Sequence, residues 1–78
     1  MSSKAKQARE LHNAIRHVCD MSDAKVGFSY TSRGHHRAII FLKTYRAVVT
    51  FAASGDWRAF HNAISQVRRT LQQMESLP

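Results

Sequence analysis

The hydrophobic period of this 78-residue chain switches from helical to alternating and back again. Between Ser3 and Asp20, Ala8, Leu11, Ile15 and Val18 recur at spacings of three and four, and Ala5 and Cys19 widen the stripe, which predicts an amphipathic helix. Ser3 stands where an N-cap is needed, and Lys6, Arg9, His12, Asn13, Arg16 and His17 fall on the opposite, polar side. Met21-Ser22-Asp23 breaks the pattern. From Lys25 to Thr31 the period drops to two, with Val26, Phe28 and Tyr30 alternating against Gly27, Ser29 and Thr31 as in a half-buried strand. Ser32-Arg33-Gly34 supplies a turn in which Gly34 can take a positive φ. The run from His36 to Leu42 is too short for a helix and rich in β-branched and aromatic side chains, which predicts the central strand. Lys43-Thr44-Tyr45-Arg46 closes a second hairpin, and Ala47 to Ala52 forms a third strand. After a break in which Ser54 or Asp56 can cap, Trp57, Phe60, Ile64, Val67, Leu71 and Met74 follow one another at helical spacing. That register puts Trp57 in the core of a second helix.

The order helix, strand, strand, strand, helix predicts an α+β fold: a three-stranded antiparallel meander with both helices on one face, as one domain over residues 1–78. The other face must then meet solvent or a partner. Ala38, Ile40 and Leu42 fall on one side of the central strand and Ile39 and Phe41 on the other, and Val48-Val49 repeats this doubling in the third strand. Apolar side chains on an open face mark an interface, which makes a homodimer one expectation.

Charge narrows the choice of partner. Twelve lysines and arginines against five acidic residues leave a net charge of +7. Such a field attracts polyanions and speeds encounter with them, so nucleic acid is the expected partner, RNA ahead of DNA, with an acidic protein behind both. No stretch approaches the roughly 18 unbroken apolar residues of a membrane helix, so no membrane partner is expected. The N-terminal residues carry no apolar run after their lysines, which predicts a cytoplasmic protein. The single cysteine, Cys19, excludes an intramolecular disulfide and reads as a packed core residue. No ligand spacing calls for a metal, and no cofactor is expected.

The candidate chemistry concentrates between Gly27 and Arg46. Arg33, His35, Arg37, Lys43 and Arg46 gather at the two predicted hairpin turns and the adjoining strand positions, a set suited to gripping backbone phosphate without reading sequence. Tyr30, Phe41 and Tyr45 are candidates for stacking on unpaired bases wherever they reach the open face. His36 is a candidate catalytic base or acid for RNA cleavage, because imidazole titrates near neutrality, with Arg33 or Arg37 to stabilise developing phosphorane charge. His35 and His36 point to opposite faces of a regular strand, so they do not both meet one phosphate.

The αβββα order resembles that of double-stranded-RNA-binding domains. It also resembles the HicA-type mRNA interferases, through Gly27-Phe28 on the first strand and Gly34-His35-His36 opening the second. That second resemblance implies that His36 would be a catalytic histidine. Asp56 to Ala59 and Val67 to Leu71 are similar to segments of small phage and prophage proteins. Three functions follow as expectations. The first is a nucleic-acid-binding domain that contacts phosphate through basic hairpin turns. The second is an inhibitor or accessory factor that docks on a host protein complex. The third is a metal-independent mRNA interferase using His36.

Overall fold

A computed structural model describes residues 3–52 and 57–78, with side chains from residue 8 onward. The elements are α1 (Ser3–Met21), β1 (Lys25–Tyr30), β2 (His36–Leu42), β3 (Tyr45–Phe51) and α2 (Trp57–Glu75). The strands form one antiparallel sheet in the order β1-β2-β3, so the α+β architecture expected from the hydrophobic pattern is the one observed. The expected caps Ser54 and Asp56 lie outside the described residues, as do the side chains of Ala5 and Lys6.

The boundaries differ from expectation where the backbone turns tightly. The β2–β3 turn is only Lys43-Thr44, with Leu42 paired directly to Tyr45, so β3 begins two residues earlier than the pattern predicts. Lys43 makes this turn possible by adopting a φ of 58°, a left-handed conformation that few non-glycine residues take. At the end of α1, Asp23 has a φ of 57° and Ala24 donates its N–H back to the Cys19 carbonyl at 2.8 Å. Asp23 donates to Asp20 at 3.1 Å. This pair of bonds is a Schellman stop, and it closes with apolar contact between buried Cys19 and buried Ala24.

Burial follows strand alternation on β2, where His36, Ala38, Ile40 and Leu42 are buried and Arg37 and Phe41 are exposed. The core joins those inner positions to Leu11, Ile15 and Cys19 of α1, Val49 and Phe51 of β3, and Ala63, Val67, Leu71 and Met74 of α2. Helix α1 packs over β1 and α2 over β3, and the helices touch each other above β2. Burial, helped by the charge of Asp20, pushes the Cys19 thiol up to about 11, which leaves it a packing group without thiolate chemistry at neutral pH.

Trp57 is not in the core. It is 68% exposed, because it opens α2 beyond the last core contact, and the buried stripe runs instead through Ala63, Val67, Leu71 and Met74. Its ring lies parallel to Phe60 at 5.4 Å and meets His61 edge-on at 4.7 Å. Among the described residues no helix is long and apolar enough to cross a membrane.

Ile40 is fully buried on the covered face of the middle strand, within the core that residues of both helices line. Ile40→Ala is expected to lower unfolding free energy by about 2–5 kcal/mol, measured by urea denaturation. In a domain this small that is a large share of the total.

Candidate functional site

Two places carry chemistry: the outward face of the sheet, and a histidine pair between α1 and β2. The outward face is set by register. Residues directly opposite one another on paired strands point to the same side, so the pairings Lys25↔Phe41↔Arg46, Gly27↔Ile39↔Val48 and Ser29↔Arg37↔Thr50 are three rows of one surface. The rows stand roughly 7 Å apart along the strands. Two cations flank Phe41 in the first row, and a third, Arg37, sits between two hydroxyl residues in the last. The middle row is apolar. Phe41 is 46% and Val48 52% exposed, and Ile39 is half-buried among its neighbours. Among the described residues of this face there is no carboxylate.

Around the free edge of β3 the surface continues into an open groove of about 280 Å³ against α2, lined by Val48, Thr50, Gln66, Arg69 and Gln73 among others. Arg69 thus adds a further cation beside the Val48 and Thr50 end of the rows.

The five basic positions expected to act together are not brought together. Arg37 and Arg46 share the outward face, Arg46 at a corner of the first row and Arg37 at the middle of the last. Arg33 and His35 lie exposed in the β1–β2 turn, where Thr31 Oγ1 accepts their backbone N–H groups at 3.3 and 3.0 Å and orders the loop. Lys43 lies at the other end of the sheet, and its ammonium donates to the Glu75 and Leu77 carbonyls at 3.3 and 2.9 Å. It therefore closes the C-terminus of α2, where a positive charge also suits the helix dipole. Of the three stacking candidates only Phe41 reaches the outward face. Tyr45 is on the covered side and donates its hydroxyl to the Pro78 carbonyl at 2.9 Å, and Tyr30 is on the covered side at the margin, opposite His36.

His36 is 6% exposed and points under the helices, away from His35. Its partner is His12 of α1, which the helical pattern had assigned to the polar side. His12 Nε2 and His36 Nδ1 are 2.9 Å apart, so one ring donates and the other accepts. Aromatic rings enclose the pair. His12 stacks on Phe28 at 4.0 Å, His36 meets Tyr30 edge-on at 4.7 Å and approaches Phe51 at 5.5 Å. The Arg16 guanidinium lies 5.2 Å from the centre of the Phe28 ring. Burial lowers the basicity of both histidines, and the charges of His36 and Arg16 lower that of His12 further. Among the described residues no group of three or more His, Cys, Asp or Glu side chains is placed to hold a metal.

No family model, curated protein or solved structure matches the chain. The features it shares with the families it resembles are the α-β-β-β-α order and the antiparallel sheet.

The histidine pair makes a signed prediction for stability. Both folded-state values lie below the ordinary 6.5, so the unfolded chain binds more protons across that window. Stability is therefore full above the ordinary value and is lost as pH falls through it toward the lowered folded values. Urea denaturation at steps from about pH 7.5 to pH 5 should give a falling midpoint, and His12→Gln should flatten the slope. An equal slope in wild type and variant would show that the pair is not its source.

Proposed function

We propose that this protein binds nucleic acid through the outward face of its sheet. The observation that carries this reading is the placement of Lys25, Arg37 and Arg46 on one surface with no carboxylate among its described residues. Exposed cations on one surface without counter-charges set up a positive field that attracts a polyanion. Phosphodiester backbone supplies regularly spaced negative charge, and long cationic side chains meet it without reading base sequence. The contact is thereby moved from the hairpin turns to the sheet, keeping Arg37 and Arg46. Arg33 and His35 stand beyond the Arg37 end, and Arg69 lies at the β3 edge.

A second reading, metal-independent RNA cleavage, draws on the histidine pair. A neutral imidazole is the form that accepts a proton, and burial favours that form in both rings. In this reading His12, the more open of the two, meets the ribose hydroxyl, and buried His36 orients it.

The test is titration of labelled RNA and DNA oligomers at several salt concentrations, with the substrates run on a gel afterwards. Each of Arg37→Ala and Arg46→Ala should weaken binding and reduce the slope of log affinity against log salt by about 0.7–0.9. Shortened RNA that persists in the arginine variants but not in His12→Ala would favour cleavage. Unchanged affinity and slope in both arginine variants would remove the sheet face from the contact.

A further inference from the structure

Resting on the reading just given, the geometry points to the kind of nucleic acid bound: an unpaired strand, whose bases stack on Phe41 and on the apolar row beside it. A surface that only gripped phosphate would need cations and hydroxyls. This one spends its central positions differently. Phe41 stands between Lys25 and Arg46, and Ile39 between Gly27 and Val48, so apolar side chains hold two adjacent positions of the middle strand, with cations on both sides of Phe41 and Arg37 beyond Ile39.

Phe41 lies outside the core and is packed only against its cross-strand neighbours. The core lies on the other side of β2, and the ring is left 46% exposed. The ring offers a π-face to a base, and the two cations in its row lie within reach of the phosphates on either side of that base. Gly27 adds no side chain to the neighbouring row, and the space where a Cβ would stand is open, so the β1 end of that row offers room to a planar group that extends past Phe41. Stacking on aromatic side chains beside a cationic track is how single strands are held without sequence preference, whereas the bases of a duplex are already stacked on each other.

Charge argues against a second copy of the chain on this face. Stacking two such surfaces would bring Lys25, Arg37 and Arg46 of each copy together with no carboxylate between them among the described residues, and like charges set against each other oppose association.

The experiment measures fluorescence anisotropy of short labelled oligo-U, oligo-dT and a duplex of equal length. The proteins are wild type, Phe41→Ala, Phe41→Trp and the double variant Arg37→Ala/Arg46→Ala. The proposal expects single strands to bind more tightly than the duplex. It expects Phe41→Ala to weaken single-strand binding by roughly five- to a hundredfold while leaving duplex affinity nearly unchanged. Phe41→Trp, which keeps a stacking surface, should hold or improve single-strand affinity. Preference for oligo-U or for oligo-dT, alongside that Phe41 dependence, supports the platform and identifies the strand it takes.

Several results would overturn it. If all oligomers bind and the arginine pair matters but Phe41→Ala does not, the stacking platform fails and the phosphate contact stands. If nothing binds at low salt, both fail. A concentration-dependent dimer in sedimentation, made monomeric by Phe41→Ala, would assign the face to a second copy instead. Phe41 lies outside the core, so its replacement is expected to leave the fold intact, and circular dichroism of each variant checks this.

Discussion

A sheet of three strands with two helices can bury only one of its faces, and this constraint governs the rest of the molecule. On β2 every second residue from His36 to Leu42 is buried beneath the helices. Both helices are used in covering that side, α1 over β1 and α2 over β3. The outward rows are thereby released from any duty to the core. Under ordinary alternation a solvent-facing side of an antiparallel sheet is polar. Here it carries Ile39 and Phe41 on the middle strand and Val48 beside them, and the departure is informative because these apolar side chains lie outside the core.

The covered layer has its own exception in His36, a polar ring at a core position. Burying such a group without a partner costs several kcal/mol at the upper end of measured scales. His12 supplies the partner at 2.9 Å, and Phe28, Tyr30 and Phe51 supply the surrounding surface. The same desolvation that makes the bond valuable lowers the basicity of both rings. Two imidazolium ions facing each other would lose the bond and repel, so fold and protonation state are tied at this point. The hydrogen bond also ties α1 to the middle strand, alongside the apolar contact of Leu11, Ile15 and Cys19.

The sequence exposed the architecture far better than the site. Local periodicity reports which elements form, and β2 runs from His36 to Leu42 as expected, between the Ser32-Arg33-Gly34 turn and the Lys43-Thr44 turn, around the apolar run Ala38 to Leu42. Contacts between distant residues leave no such trace. His12 and His36 are separated by 24 positions, and the helical pattern placed His12 on the polar side since only the adjoining sheet margin brings it a partner. Trp57 keeps perfect helical register with Phe60 and Ile64 yet lies beyond the core, because register says which side a residue occupies and not how far the neighbouring layer extends. The expected basic cluster fails for a geometric reason. Consecutive hairpins of a meander lie at opposite ends of the strands, and seven residues at about 3.3 Å each separate Arg33 and His35 from Lys43 by roughly 20 Å. The signal for the outward face was in the sequence all along, as the doubled apolar positions of β2 and β3, but the rows of cations beside them needed the strand register.

In the proposed function, that register also explains how one region of a generally basic protein would direct binding. Arg9, Arg16, Arg33 and Arg68 are exposed outside the rows, and with the net charge of +7 they would attract a polyanion from any approach. Attraction of this kind gives no orientation. Orientation requires groups that act at contact distance and are held still before the ligand arrives. Phe41, Ile39 and Arg37 sit on a strand bonded on both sides, so the backbone beneath them is already ordered and only side-chain freedom is lost on binding. The Lys43 ammonium is engaged with the end of α2 and lacks the first of these properties. The outward face combines them, with Phe41, Ile39 and Arg37 on the ordered middle strand and Lys25 and Arg46 on either side of the ring.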